Sequence, residues 1–208
     1  MKTIIINGSP RVNGNCAQLA ERFAVELAAN GIESEILQIG SMDIKGCKSC
    51  WACNDTGKCV QDDEEFFGAC EKIYQAEGLM IFAPVYYDSM PGPLKSFLDR
   101  MALQERKGGR LHGKIGGACA VLRRTGGVNT LDDIYHCLMC TGFIMAPTEG
   151  ECMVFGFEPG EVEQDQEGLD ILDNLAANMA WLMKVMDRAE EELPMPEMKK
   201  RASTNFVR

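Results

Sequence analysis

The chain is poor in basic charge, in histidine and in long apolar runs. Its 21 Lys and Arg stand against 31 Asp and Glu, a formal net charge of −10. That balance disfavours nucleic acid or an anionic membrane as the main partner. No stretch approaches the ~18 consecutive apolar residues of a membrane span. The opening Met1-Lys2-Thr3-Ile4-Ile5-Ile6-Asn7-Gly8 is broken too soon for a signal peptide, so the expected location is cytoplasmic. Only His112 and His136 are present, with no HExxH and no Ser-His-Asp-type motif. Hydrolytic and acid–base chemistry therefore find no machinery here. What the chain does have in excess is cysteine, ten in 208 residues. In a reducing compartment these are not a disulfide framework and need another purpose.

The length suits one domain, and 46% apolar residues excludes global disorder. Short apolar runs alternate with amphipathic stretches, the pattern of βα units around a parallel sheet. Strands are expected over 3–7, 33–39, 78–83 and 114–122, with a fifth somewhere in 143–154. Helices are expected over 15–29, 62–75, 93–102, 131–140 and 168–187. The last carries Leu169, Leu172, Leu175, Ala176, Met179, Leu182, Met183 and Met186 at helical spacing, read as packing on the sheet rather than as a dimer face. After 187 comes a charged extension, 188–208, either a loose tail or an arm onto a partner subunit. The architecture expected is an α/β doubly wound, five-stranded parallel sheet flanked by helices. Its ligand belongs at the carboxyl ends of the strands.

Two loops at those ends carry chemistry. After strand one, Gly8-Ser9-Pro10-Arg11-Val12-Asn13-Gly14-Asn15-Cys16 leads into a helix. Backbone N–H groups at a helix N-terminus, with Ser9, Asn15 and the fork of Arg11, suit a phosphate. The loop lacks a Walker Gly-Lys-Ser/Thr ending and the GxGxxG fingerprint, and a plain turn with an Asn cap uses the same residue types. After strand three, Pro84-Val85-Tyr86-Tyr87 offers flat apolar area with polar edges, as a planar heteroaromatic ligand requires. Behind it, Lys95, Asp99 and Arg100 read as a solvated or ion-paired helix face.

Together, GSPR-x-x-GN and PVYY-x-SMPG-x-LK-x-FLDR resemble the flavodoxin-like NADPH-dependent FMN reductase family across residues 1–187. The resemblance implies a flavodoxin-like fold with the FMN phosphate at Ser9, Arg11, Gly14, Asn15 and Cys16. It places the isoalloxazine ring against Pro84, Val85, Tyr86 and Tyr87. A third loop, Arg123-Arg124-Thr125-Gly126-Gly127, lies where such proteins close over the flavin's other edge, so Thr125, Gly126 and Gly127 join the expected contacts. Many relatives have Ser or Thr where this chain has Cys16, a weaker donor.

The cysteine loop, an insertion at 46–60, spells C-x2-C-x2-C-x5-C through Cys47, Cys50, Cys53 and Cys59. Such spacing lets thiolates surround one small inorganic centre, and bacterial ferredoxins use a related C-x2-C-x2-C run. A structural zinc or four uncoordinated thiols remain open readings of these residues. On an FMN reductase-like chain the motif resembles the iron-sulfur flavoprotein branch, which implies one [4Fe–4S] cluster held by these four cysteines. Cys70, Cys119, Cys137, Cys140 and Cys152 read as small core residues. Trp51, between ligands, is read as a cluster shield, a subunit contact or ordinary packing.

The resemblance implies an oxidoreductase in which the cofactors carry the chemistry. The cluster would take electrons from a ferredoxin-like donor, and FMN would pass them to a small-molecule acceptor. It also implies a homodimer or homotetramer. Two alternatives stand beside it: a cluster-free NAD(P)H-dependent FMN or quinone reductase, and a non-enzymatic carrier like flavodoxin. A second redox centre speaks against the carrier.

Overall fold

The computed structural model describes residues 1–61, 63–106, 108–190 and 192–196. Three apolar segments form the centre of a parallel sheet: β1 (Lys2–Asn7), β3 (Gly78–Pro84) and β4 (Ile115–Leu122). They are buried on both faces, which is why they read as continuous hydrophobic runs instead of alternating ones. The more polar β2 (Glu33–Gln38) closes one edge beside β1. The strand order 2-1-3-4-5 reverses direction between β1 and β3, the place where doubly wound sheets open a crevice.

The fifth position is split. β5 (Ile144–Met145) pairs with Ile115–Gly116, and β6 (Met153–Phe155) pairs with Ala120–Leu122, both parallel to β4. Residues 146–152 leave the sheet between them. Pro147 cannot donate to a ladder, so an interruption there is cheap.

Helices cover both faces. On one lie α3 (Glu64–Gln75), α4 (Gly92–Gln104) and α5 (Gly127–Cys140); on the other lie α1 (Asn15–Ala29) and α6 (Gln166–Ala189). Successive strand residues supply the two cores: Ile4, Ile6, Leu79 and Ile81 face the first, Ile5, Met80 and Phe82 the second. Leu169, Leu172, Leu175, Ala176, Met179 and Met183 of α6 are buried in that second core, so the stripe packs on the sheet. Each buried Leu or Met contributes about 1.5–3 kcal/mol. Asp165 caps α6 by accepting from the Gly168 N–H at 3.1 Å.

Helix ends differ from the sequence expectation by a few residues. α5 begins at Gly127 instead of 131, because its first turn contains glycine and Asn, which carry no apolar period. α6 runs to Ala189, two residues into the expected extension. Met195 lies against Gly113; from 197 onward the extension is outside the described residues. No helix among the described residues is long and apolar enough to cross a membrane.

Candidate functional site

The turn after β1 is fixed before any ligand arrives. Gly8 N–H donates to the Phe82 carbonyl at 2.8 Å, and Ser9 N–H to Asn7 Oδ1 at 3.0 Å. Gln38 Nε2 donates to the Ser9 carbonyl at 2.5 Å while its Oε1 accepts from Asn7 Nδ2 at 2.6 Å. Gly40 then lies flat on this turn, and a Cβ at 40 would overlap the backbone of Gly8 and Ser9. Ser9 is buried, and its Oγ accepts from the Arg11 N–H at 3.1 Å, which leaves the hydroxyl proton free to donate.

α1 starts above this turn with Gly14 at its N-cap, so no side chain occupies the first-turn N–H groups. Those groups and the positive end of the helix dipole suit an anion. Arg11 is in no ion pair among the described residues. Cys16 is buried at the base of the cleft, and burial pushes its thiol up to about 12. It is therefore a neutral S–H at physiological pH and does not repel a phosphate. Asn15 is committed elsewhere: its Nδ2 donates to the Glu158 carbonyl at 3.1 Å, and its Oδ1 accepts from Gly160 N–H at 2.8 Å. It thereby clamps the 156–160 segment over the cleft.

The second loop folds back on itself between Tyr86 and Ser89, each N–H donating to the other's carbonyl at 2.8 and 3.2 Å. Its two central residues, Tyr87 and Asp88, have φ of +47° and +61°. Left-handed backbone at non-glycine residues costs about 1–3 kcal/mol each and persists only where the surroundings enforce it. Here the third loop does so. Gly126, at φ +87°, packs so closely that a Cβ would come 2.5 Å from Asp88 Cα, and Thr125 Oγ1 donates to Asp88 Oδ1 at 3.3 Å. The tip leaves the Tyr87 side chain fully exposed.

One cleft of about 210 Å³ results, with Ser9, Arg11, Asn15 and Cys16 at one end and Pro84, Val85 and Tyr86 at the other. Of the residues expected from sequence, Gly14, Tyr87, Thr125, Gly126 and Gly127 do not form its walls. Thr125 and Gly126 instead brace the second loop, and Gly127 packs on Met153. Residues not named as contacts complete the cleft: Val121, Leu122, Arg123, Gly156 and Phe157. Arg123 lies 5.1 Å from the Phe157 ring. Its place directly after β4 was a readable signal. The 156–157 wall comes from the sheet's split edge and had none.

The cysteine loop forms a second site. Cys47, Cys50, Cys53 and Cys59 all line one small cavity of about 30 Å³. Burial raises the Cys53 thiol, and then the charges of Cys59, Cys47 and Cys50 raise it further, so the four sulfurs feel one another. Among the described residues no group of three or more His, Cys, Asp or Glu is arranged to hold a metal ion. The backbone is left-handed at Ser49 (φ +52°) and Trp51 (φ +62°), so every non-glycine positive φ among the described residues falls in this loop or the Tyr86–Ser89 turn. α2 (Cys53–Thr56) and the left-handed Gly57 turn the chain from Cys53 toward Cys59. Trp51 is half exposed at the cavity, with Arg106 5.4 Å from its ring.

Two residues of α4 reach this loop from below. Gln104 Oε1 accepts from the Cys59 N–H at 3.2 Å. Arg100, read from sequence as part of a solvated or ion-paired face, is only 2% exposed and pairs with Asp63 at 2.6 Å. Its guanidinium stacks on Phe66 at 3.9 Å. Burial disfavours its charge, but Asp63 and Cys59 more than offset this and hold its pKa above the ordinary value. Lys95 and Asp99, by contrast, form an exposed pair one turn apart. Among the remaining cysteines, Cys70, Cys119 and Cys152 are buried and Cys137 packs on the core, but Cys140 is exposed at the end of α5 and is not a core residue.

Comparison with known proteins bears on the family and the fold. The profile of the NADPH-dependent FMN reductase family matches residues 1–154. An iron-sulfur flavoprotein of Methanocaldococcus jannaschii is 29% identical over 197 residues, covering 90% of this chain and 100% of that one. Among solved structures, RosB with a bound formylriboflavin phosphate intermediate superposes with a TM-score of 0.72 at 16% identity, covering 100% of this chain and 94% of that one. A flavodoxin from the domain Archaea superposes with a TM-score of 0.58 at 16% identity, covering 88% of this chain and 99% of that one. The fold is flavodoxin-like, and the family match supports a flavin-dependent oxidoreductase. The chain belongs to the NADPH-dependent FMN reductase family.

Proposed function

We propose that this chain is an FMN-dependent oxidoreductase with a [4Fe–4S] cluster, passing electrons between a ferredoxin-like donor, FMN and a small acceptor. The observation that carries the reading is the convergence of Cys47, Cys50, Cys53 and Cys59 on one cavity. The residues suit both groups. At the flavin cleft, the uncapped start of α1, the Ser9 hydroxyl and Arg11 supply donors for a phosphate. Pro84, Val85 and Tyr86 supply flat area for a ring, and Val121 and Leu122 add apolar wall to the same cleft. At the cysteine cavity, four thiols line one space, and thiolates are the donors an iron–sulfur centre takes. When bound, FMN exchanges electrons singly or in pairs and a cluster exchanges one. The curated relative named as an iron-sulfur flavoprotein supports the same reading.

α4 joins the two sites. Its N-terminus follows the Tyr86–Ser89 turn, and Arg100 lies about 12 Å further along the helix at ~1.5 Å per residue. A homodimer or homotetramer belongs to the reading. Its support is that Tyr87 and Trp51, one at each site, leave aromatic surface exposed. A cluster-free NAD(P)H-dependent FMN or quinone reductase is the second reading, favoured by the family and by a cleft that is open at the Tyr86 side.

Anaerobic stopped-flow reduction separates them. Flavin in the reconstituted protein should reduce slowly with NADH or NADPH and rapidly with a reduced ferredoxin, with broad bleaching beyond the flavin bands. Rapid pyridine-nucleotide reduction and flavin bands alone would establish the second reading instead.

A further inference from the structure

Arg100 is a large charged side chain in a place where charge is expensive. It comes from the face of α4 that also carries Leu94, Phe97, Leu98 and Met101, all buried in the core under the first three helices of that face. A guanidinium there needs partners, and they flank the cysteine loop. Nη2 donates to the Gln61 carbonyl at 3.3 Å, just past Cys59. Nη1 pairs with Asp63 and makes a longer 3.5 Å contact with the Lys45 carbonyl, just before Cys47. Gln61 Nε2 adds a bond to the Gly46 carbonyl at 3.1 Å. One side chain thus ties both feet of the loop that carries the four thiols. Gln104, one turn on, ties the Cys59 amide.

The fork is not fully used. Arg100 Nε is buried and has no partner among the described residues, although Arg100 lines the cysteine cavity. A buried N–H left empty is costly, and such atoms are rare in folded chains. The four cysteines line the same cavity, and Cys59 helps hold the guanidinium in its charged form.

We propose that Arg100 is a positioning residue for the cluster: it anchors both ends of the ligand loop and directs its free Nε–H to the cluster's sulfur. The inference rests on the cluster reading above. A four-thiolate cluster is anionic, and reduction adds a further negative charge. A fixed N–H or cation beside sulfur therefore stabilises the reduced form more and raises the midpoint potential. Asp63 opposes this by partly neutralising the guanidinium from its other side.

The test uses full-length protein purified without oxygen, with iron, sulfide and FMN assayed, cluster midpoint read by redox titration with EPR, and bleaching followed in air. Arg100→Gln should keep FMN, lower the midpoint and bleach several-fold faster than the parent. Arg100→Lys keeps a cation but has no Nε–H, and its midpoint should also fall below the parent's. Asp63→Asn removes the counter-ion yet still caps α3, as Asp63 does through the Phe66 N–H, and should raise the midpoint. If Arg100→Gln loads no iron, the Lys variant decides; if neither loads, Asp63→Asn decides. A parent-like midpoint in any deciding variant overturns the role of Arg100 and leaves the cluster standing. Parent protein that holds FMN but no iron or sulfide overturns the cluster reading itself.

Discussion

At the first turn of α1 the cleft offers a phosphate two kinds of donor, and only one can be removed by substitution. The backbone N–H groups survive any side-chain change, whereas Arg11 supplies a charge-assisted bond. Losing such a bond costs about 1.5–3 kcal/mol. Arg11→Met should therefore weaken FMN binding roughly 10- to 150-fold, with little change in apo-protein stability, since Arg11 is exposed and anchors nothing else. Flavin fluorescence titration checks the first part and a denaturant melt the second. Unchanged affinity would mean that the amides alone hold the phosphate. Ser9, Arg11 and Cys16 were legible in the sequence because a loop leaving a buried strand can aim them only toward the strand ends. Asn15 was legible as polar but not as a clamp, because its partners Glu158 and Gly160 lie over 140 residues away. Arg100 did have a signal: three residues after Phe97 on an apolar stripe, it had to be buried and hence paired.

The loops are held by one another more than by their own sequences. Gly40 shows this most sharply, because the turn after β2 supports the turn after β1. An alanine at 40 meets backbone, which cannot rotate away as a side chain can. Gly40→Ala should lower stability by about 1–3 kcal/mol, as other forced contacts do, and weaken FMN binding in the same variant. Gly31→Ala is the contrast: φ is +73° there but nothing lies within 4 Å, so it should destabilise without affecting FMN. Parallel melts and flavin titrations of the two variants check this, and an equal effect on FMN would contradict it. The strands and most helix centres were legible because their apolar period is long enough to see. The split of the fifth strand was not, because which residues of 143–154 pair is set by the register of β4. α2, with four residues, is too short to have a period.

Across the whole molecule, two cores on a buried sheet fix three loops at one end, and α4 runs from the flavin turn to the cysteine loop. Fold and cleft followed from patterning that local sequence carries. The wall at 156–157, the bracing of Asp88 by Gly126 and the anchoring of the cysteine loop by Arg100 depend on tertiary contact, which no window of sequence contains. The ten cysteines divide accordingly: four around one cavity, one at the base of the flavin cleft, four in or against the cores, and Cys140 at the surface. Iron, acid-labile sulfide and flavin, assayed together on parent and Cys53→Ser protein purified without oxygen, test directly whether the four cysteines hold a cluster beside FMN. About four iron and four sulfide per FMN are expected in the parent, lost in Cys53→Ser while FMN stays bound. A parent protein that is replete with FMN yet free of iron and sulfide would contradict it.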